Sequence, residues 1–209
     1  MIPTNAAGPA LRIVVLSAGF SVRLGRPKAL TRIRGVTLLQ RTVRTLAPLT
    51  TGRVIVVLPP RASRARAELR SQRVDFAESR QRVRGLSASV KCGLLRARYS
   101  AGVLLLPVDL AWLERGEIAR LIGRWRSSRR AVVARRVGRR AGTPLILPRH
   151  LYPEALRVAG DLGLRELANG LPRDELKLLD LPSADLDVDT PADLRRARRR
   201  RADRGFNPP

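Results

Sequence analysis

A loop with two glycines and two cations follows the first apolar run of the sequence, and its chemistry suits an anion. Gly19 and Gly25 would let backbone N–H groups approach phosphate oxygens without a Cβ in the way, and Arg23 and Lys28 carry the charge that neutralises phosphates. The glycine spacing fits neither a Walker A loop nor the dinucleotide-binding G-x-G-x-x-G loop. The loop therefore predicts a triphosphate site of another kind. From the loop alone, a glycine turn with two solvated cations is the alternative.

A single carboxylate, Asp109, ends the apolar run from Val103 to Val108. In an open parallel sheet, ligands bind in the crevice beyond the carboxyl ends of the strands, so a carboxylate at this point would face the same crevice as the glycine loop. Asp is also a common N-cap residue, and capping of a helix that begins near Leu113 is the alternative role. The residue type and its position leave both roles open.

Three alternating aspartates, Asp185, Asp187 and Asp189, occur near the end of the chain. On an extended segment, alternate side chains point to the same side, so we expect all three carboxylates to share one side. An EF-hand calcium loop is excluded, because Thr190 stands where that loop requires Gly and Arg196 stands where it requires Glu.

The residues after Asp189 are typical of a helix start. Thr190 is a good N-cap, Pro191 suits the first helical position and Asp193 suits the third. Asp193 is therefore expected to be structural, which leaves Asp189 as the better ligand. Asp109 and Asp189, two carboxylates from distant parts of the chain, suit Mg²⁺, which takes one or two carboxylates together with substrate phosphates.

Alternating strands and helices must position these residues. Continuous Val, Ile and Leu runs are typical of parallel strands buried on both faces, and such strands need crossover helices. The pattern predicts an α/β fold: one three-layer, Rossmann-like domain over residues 11–203, with a mostly parallel sheet and disordered ends at residues 1–10 and 204–209. Strands are expected at Leu11 to Ser17, Val54 to Leu58, Val74 to Ala77, Val103 to Val108, Ala131 to Ala134, Leu145 to Leu147 and Leu176 to Leu179. Helices are expected at Leu38 to Leu46, Ala62 to Ser71, Leu86 to Ala97, Ile118 to Arg126 and Leu162 to Ala168.

The chain has 209 residues and a formal net charge of +25, a charge that is frequent in proteins that bind nucleic acid. Lys occurs only at positions 28, 91 and 177, so nearly all of the cations are Arg, and they are spread along the chain. Aromatic residues, on which bases stack in such proteins, make up only 3%. We therefore expect no polynucleotide partner, and the positive field instead favours small anions such as nucleotides.

No apolar stretch approaches the ~20 residues that a membrane span requires, so no membrane partner is expected. The first ten residues lack the pattern of a secretory signal, and the lone Cys92 cannot form a disulfide within the chain. These features favour a cytoplasmic location.

Six segments, in order along the chain, resemble the MobA-like nucleotidyltransferases, a family that includes the molybdenum cofactor cytidylyl- and guanylyltransferases. Residues 16–28 read L-S-A-G-F-S-V-R-L-G-R-P-K, which is similar to the family signature L-A-A-G-x-S-x-R-x-G-x-P-K. Residues 85–94 resemble the family's G-L-S-x-S segment, and residues 104–109 resemble its strand that ends in a metal-binding Asp. Residues 142–144, 160–163 and 187–194 resemble its G-H-P, G-D-x-G and D-I-D-T-P-E-D-L elements, respectively.

This resemblance implies a GT-A-like fold and an enzyme that transfers an NMP unit from an NTP, CTP or GTP, to a phosphorylated small-molecule acceptor. Pyrophosphate would be released, Mg²⁺ would be the cofactor, and molybdopterin would be the leading acceptor. A product of this kind would be handed over to a molybdoenzyme or its chaperone.

The resemblance also implies roles for individual residues. The expected catalytic residues are Lys28, Arg23 and Asp109, and the expected metal ligands are Asp109 and Asp189. The expected nucleotide contacts are Ser17, Ala18, Gly19, Arg23, Gly25, Lys28, Gly85, Ser87 and Ser89.

The sequence departs from the family pattern mainly on the acceptor side. The D-x-P element is replaced by Asp109-Leu110-Ala111, which Trp112 follows, and Thr143 replaces the His of G-H-P. These changes bear on the identity of the acceptor more than on use of the nucleotide. Two alternatives stay open: a sugar-phosphate nucleotidyltransferase or GT-A glycosyltransferase, and a basic, nucleic-acid-associated regulatory protein on a nucleotide-binding fold that has lost its activity.

Overall fold

The computed structural model describes residues 11–19, 22–80, 86–157 and 163–199, so the ends expected to be disordered lie outside the described residues. The strands are β1 (Leu11–Leu16), β2 (Arg32–Ile33), β3 (Val36–Thr37), β4 (Val54–Leu58), β5 (Val74–Glu78), β6 (Gly102–Pro107), β7 (Val132–Val137), β8 (Arg140–Pro148) and β9 (Leu176–Leu179). Seven of them form a sheet in the order β5, β4, β1, β6, β8, β7, β9, and β2 pairs with β3 in a separate hairpin.

Helices occupy connections between these strands, and one more helix follows the last strand. They are α1 (Leu38–Leu46), α2 (Ser63–Glu68), α3 (Leu86–Arg96), α4 (Arg115–Arg126), α5 (Tyr152–Arg157), α6 (Gly163–Asn169) and α7 (Pro191–Arg199). In the described ranges, every helix is too short or too polar to cross a bilayer.

β1 lies in the middle of the sheet, between β4 and β6, and both pairings are parallel. Its side chains alternate between the two faces: Ile13 and Val15 belong to one hydrophobic core, and Val14 and Leu16 belong to the other. Residues of α1, α2, α4 and α7 complete the first core, whereas α3, α5 and α6 complete the second. The predicted three-layer α/β fold with a mostly parallel sheet is therefore confirmed.

β8 runs antiparallel to its neighbours β6 and β7, and a hairpin through Gly138 joins it to β7. The register of β7 and β8 shifts in the middle of the pair: Ala134 lies opposite Leu145, but Arg135 lies opposite Gly142. Two residues of β8 are therefore extra at this point. Bulges of this kind re-aim the side chains beside them and are frequent next to functional sites.

The segment before α7 is held against the residues after β6 by main-chain bonds. The Val188 N–H donates to the carbonyl oxygen of Asp109 at 3.1 Å, and Leu110 and Asp187 form an isolated antiparallel bridge. Since these bonds fix one segment beside the other, Asp109 and Asp189 arrive at the same edge of the sheet.

A buried carboxylate holds the beginning of this segment. Glu117, in the first turn of α4, accepts the N–H of Ser183 at 3.1 Å and also the Ser183 hydroxyl. The Ser183 Oγ in turn accepts the Glu114 N–H at 3.0 Å, and both Glu117 and Ser183 are buried. These bonds join the start of α4 to a 3-10 turn, Pro182–Asp185, that leads to Asp189.

We expect Ser183→Ala to lower the free energy of unfolding by about 1–3 kcal/mol, because it leaves the buried Glu117 carboxylate and the partly buried Glu114 N–H each without one hydrogen-bond partner. Urea unfolding would measure the change. Ser63→Ala is the matched control: Ser63 is exposed at the start of α2, so its replacement should change stability by less than about 0.5 kcal/mol. Equal effects of the two variants would contradict the assigned role of Ser183.

Candidate functional site

The candidate site lies where β1 and β6 end, at the carboxyl edge of the parallel strands. The Ser17 N–H donates to the Val57 oxygen at 3.0 Å, and the Val108 N–H donates to the Leu16 oxygen at 3.2 Å. These two bonds continue the pairing of the strands into the loops that follow them. The glycine loop and Asp109 therefore begin side by side, at the edge where ligands of open α/β sheets bind.

The glycine loop is open above its first glycine. A Cβ added at Gly19 would meet no atom of the described residues within 4 Å. Ala18 is half-buried, while Ser17 is buried and its Oγ has no hydrogen-bond partner in the described part of the chain. Gly25 has a φ of +68°, a left-handed conformation that glycine adopts without steric cost. The loop thus offers space and an unused hydroxyl to an anion, and Gly25 has a conformational reason to be glycine as well.

Lys28 links the loop to both predicted metal ligands. Its Nζ donates to Asp109 Oδ2 at 2.8 Å and also to Asp189 Oδ1. The Lys28 side chain is 18% exposed and that of Asp109 is 16% exposed, so water screens this contact less than a surface pair. Burial alone would lower the pKa of Lys28, but the two carboxylates outweigh it and raise the pKa above its ordinary value.

The capping alternatives at the two aspartates have different outcomes. α4 begins at Arg115 after its N-cap Glu114, so Asp109 does not cap it. At α7, the Thr190 N–H donates to the Asp193 carboxylate at 2.9 Å, and the Asp193 N–H donates to Thr190 Oγ1 at 3.2 Å. This reciprocal capping box confirms the structural role predicted for Thr190 and Asp193.

The aspartate alternation predicted from the sequence holds for two residues of three. Asp185 is the last residue of the 3-10 turn, so the extended segment begins only after it, and the expectation that all three carboxylates share one side is wrong at Asp185. Its carboxylate pairs instead with Arg135 at 2.8 Å. Asp187 and Asp189 follow on the segment that docks beside Asp109.

The arrangement of Asp109 and Asp189 fits a divalent cation that is shared with a substrate. Asp109 Oδ1 is buried and has no hydrogen-bond partner among the described residues, although the other oxygen binds Lys28. Within the same residues, no group of three or more His, Cys, Asp or Glu side chains is arranged to hold a metal. Two carboxylates with one unused oxygen suit Mg²⁺, whose remaining ligands are commonly water and substrate phosphates.

Arg23 lies at the rim of this cluster. Its Nη1 is 4.0 Å from Asp189 Oδ2, and its side chain is 79% exposed. A pair so exposed contributes little to stability. The Arg23 guanidinium therefore stays accessible to an anion in solvent, whereas Lys28 is already held by carboxylates.

Asp187, which was not among the expected metal ligands, joins the cluster electrostatically. Loss of water around its carboxyl, and then the like charges of Asp109 and Asp189, raise the pKa of Asp187 to about 6, against the opposing charges of Arg135 and Lys28. Three aspartates thus share the crevice edge. The alternation that pointed to Asp189 includes Asp187 equally, so the signal was present in the sequence.

This raised pKa has a measurable consequence for stability. A carboxyl with a pKa of about 6 when folded and an ordinary value near 3.8 when unfolded holds its proton more tightly in the folded state, so stability falls as pH rises between these values. The carboxyl is partly desolvated although the residue as a whole is exposed, and after allowance for solvent screening we expect an effect of about 1 kcal/mol. In EDTA, the free energy of unfolding of Asp187→Asn should therefore rise by about this much relative to that of wild type between pH 4 and pH 7. If urea unfolding gave the same difference between Asp187→Asn and wild type at every pH in this range, the expectation would be contradicted.

The serine segment after residue 85 is only partly described. Gly85 lies outside the described residues, and Ser87 is in the first turn of α3 without a described side chain. Ser89 is buried on the same helix, so its hydroxyl is not presented to solvent. The nucleotide contacts expected of these three residues stay predictions.

The departures from the family pattern after Asp109 are explained by packing. Leu110 and Ala111 are buried in the first hydrophobic core, so neither side chain faces solvent. The Trp112 Nε1–H donates to the Ala197 oxygen on α7 at 3.1 Å. The Arg41 guanidinium lies over the Trp112 ring, 4.8 Å from its centroid. Trp112 therefore ties the turn after Asp109 to α7 and α1.

Comparison with known proteins places the chain among nucleotidyltransferases. The family profile described as MobA-like NTP transferase domain matches residues 13–176. A probable molybdenum cofactor guanylyltransferase from Rhodopirellula baltica is 30% identical over 199 residues, which is 91% of this chain and 92% of the relative.

Solved structures agree with the sequence comparison. Rv0371c from Mycobacterium tuberculosis H37Rv is 28% identical, with a TM-score of 0.74 over 91% of this chain and 97% of the other. A complex of the same protein with manganese is 26% identical, with a TM-score of 0.70 over 90% and 97% of the two chains. The fold is therefore shared over about nine tenths of this chain.

Proposed function

The chain belongs to the MobA-like NTP transferase family and is a nucleotidyltransferase, and from that premise we propose its reaction. It transfers the NMP unit of CTP or GTP to a phosphorylated small-molecule acceptor, with release of pyrophosphate. The observation that carries the proposal is the contact of Lys28, from the glycine loop, with Asp109 and Asp189 at the carboxyl edge of the sheet.

The reaction is an in-line displacement at the α-phosphorus, in which the protein mainly positions the reactants and neutralises charge. The open backbone at Gly19 provides space for the triphosphate. Arg23, exposed at the rim, offers a planar fork to phosphate oxygens, and Lys28 offers a point charge close to the carboxylates. Neither residue has to form a covalent bond.

Asp109 and Asp189 would hold a divalent cation in this reaction, and Mg²⁺ is the ion proposed. The unused Asp109 Oδ1 supports this assignment, as does the solved relative in complex with manganese. A bound divalent ion supplies neutralisation of phosphate charge and alignment of phosphate oxygens. In the protein without substrate, the Lys28 ammonium group neutralises the two carboxylates. The oxygens of a triphosphate carry negative charge, as the carboxylates do, and would offer Lys28 the same kind of partner.

Molybdopterin is the proposed acceptor. The support is the R. baltica relative, named as a probable molybdenum cofactor guanylyltransferase and 30% identical along nearly the full length of both chains. A phosphorylated acceptor also fits the net charge of +25, since a positive field attracts small anions.

The test is release of pyrophosphate by the purified protein with each NTP and Mg²⁺, with and without molybdopterin. We expect release with GTP or CTP only when molybdopterin is present, and at least a hundredfold less release from the Asp109→Asn variant. Release with a sugar phosphate but not with molybdopterin would replace the proposed acceptor. Absence of release with every NTP and acceptor would overturn the proposed function.

A further inference from the structure

One arginine close to the site has been given no role so far. Arg135 lies on β7, and its side chain is only 13% exposed, whereas that of the next residue, Arg136, is 44% exposed. The Arg135 Nη2 donates to Asp185 Oδ1 at 2.8 Å, and Nη1 reaches the Thr143 oxygen at 3.5 Å. The guanidinium is therefore enclosed and held in one orientation.

The hydrogen-bonding capacity of this guanidinium is not exhausted by the protein. Arg135 Nε is buried and has no hydrogen-bond partner among the described residues. Its partner Asp185 is 67% exposed, so one side of the guanidinium contact remains open to solvent. A buried donor without a partner is unfavourable, and a bound ion is one of the reasons for which such a donor persists.

The position of Arg135 along its strand places it at the crevice edge. Leu145 of β8 lies opposite both Leu105 of β6 and Ala134 of β7, so Arg135 is level with the last residues of β6. Asp109 follows β6 at that edge. The charge of Arg135 also acts on Asp187, which lies in the aspartate cluster. Arg135 therefore flanks the aspartates on the side of β8 and β7, and the glycine loop flanks them on the side of β1.

We propose that Arg135 binds the phosphate group of the acceptor substrate. The inference rests on the proposed nucleotidyl transfer and adds to it the residue that holds the second substrate. Arg suits this task because its planar fork binds phosphate through two parallel hydrogen bonds. The β-bulge beside Arg135 aims the side chain, and Asp185 orients it.

The chemistry balances without a covalent role for Arg135. An oxygen of the acceptor phosphate forms a bond to the α-phosphorus, the bond from that phosphorus to the bridging oxygen breaks, and pyrophosphate leaves with the electron pair. Arg135 only holds the attacking phosphate and reduces its repulsion from the aspartates. Its removal should therefore weaken use of the acceptor and leave use of the NTP unchanged.

The kinetic test compares Arg135→Gln with Arg136→Gln. Arg136 is the adjacent residue of β7, and its exposed guanidinium pairs with Asp180, so it is a matched control for loss of one charge. With molybdopterin as acceptor, we expect Arg135→Gln to raise the acceptor KM at least tenfold and to change the NTP KM less than twofold. We expect Arg136→Gln to match wild type. Equal changes in both KM values, or equal behaviour of the two variants, would overturn the proposal.

A second measurement does not depend on the acceptor or on turnover. Thermal unfolding of each protein is followed as inorganic phosphate is added. One series contains an NTP analogue with a methylene bridge between the α- and β-phosphorus, and a second series contains no nucleotide. Phosphate should raise the Tm of wild type and of Arg136→Gln but not that of Arg135→Gln. An equal rise in all three would overturn the Arg135 site. Wild type that binds phosphate through Arg135 but releases no pyrophosphate would contradict the proposed function alone.

Two further variants separate phosphate binding from a structural tie between β7 and the 3-10 turn. Asp185→Asn removes the partner of Arg135 and keeps the guanidinium, so phosphate should still raise its Tm. Arg135→Lys keeps the charge without the fork, so we expect a smaller rise, and this variant replaces Arg135→Gln if the latter does not fold. Loss of the phosphate response in Asp185→Asn together with a full response in Arg135→Lys would overturn the proposal.

Discussion

Asp109→Asn and Asp189→Asn are each expected to reduce pyrophosphate release by two or more orders of magnitude, and the double variant is expected to be little worse than the poorer single variant. Both carboxylates contact the same Lys28 Nζ, and both would hold the same divalent ion. Removal of either disrupts the same stabilisation of charge at the reacting phosphate. Losses from residues that act as one unit are strongly non-additive.

A double-mutant cycle tests this expectation when turnover and thermal unfolding are measured on the same four proteins. Binding of Mn²⁺ in the presence of NTP, followed by electron paramagnetic resonance, gives a third readout that does not require turnover. All three Asn variants should lose most of this binding. Asp180→Asn is a suitable control, because Asp180 forms an exposed pair with Arg136. Activity losses that multiply in the double variant, with Mn²⁺ binding retained, would contradict a shared site.

Lys28→Met is expected to raise the KM for NTP by roughly ten- to a hundred-and-fiftyfold, since a hydrogen bond from a charged group contributes about 1.5–3 kcal/mol. The variant also leaves Asp109 and Asp189 facing each other without their common cation, so we expect a lower Tm. Metal ions should restore this Tm more than they raise that of wild type, because the carboxylates are then free to take a cation.

Lys177→Met is the control for loss of a lysine, since Lys177 lies on the edge strand β9, away from β1. It should leave the NTP KM within twofold of wild type. Arg23→Ala should likewise raise the NTP KM about tenfold or more, but without a loss of Tm, because Arg23 is exposed and its pair with Asp189 is long. An unchanged NTP KM in both Lys28→Met and Arg23→Ala would remove the glycine loop from the site.

The sequence predicted the fold closely where the apolar pattern was continuous. The bounds of α1 and β9 coincide with the expected ones, and the central strands agree within one or two residues. The direction of β8 was not foreseen, because a short apolar run such as Leu145 to Leu147 reads the same in a parallel and an antiparallel strand. The β2–β3 hairpin was missed because its strands have two residues each, too few for any periodicity.

The site was predictable in part for a similar reason. Lys28, Asp109 and Asp189 stand at the ends of recognisable elements, and the structure brings the three together. Arg135 could not be singled out among so many arginines, because its enclosure depends on the bulge in β8 and on a turn 50 residues later in the chain. The Asp185 error has a local cause: Pro182 starts a 3-10 turn, which the aspartate spacing does not reveal.

The bond between the Val188 N–H and the Asp109 oxygen bears on how such a site changes over evolutionary time. Every residue except proline carries both groups, so the junction survives replacement of the side chain at either position. Mutations at positions 109 and 189 can therefore explore other ligands one at a time while the two segments stay side by side. Because main-chain bonds position the two segments and side chains supply the chemistry, proteins with this fold can change substrate without a change in how the segments are held together.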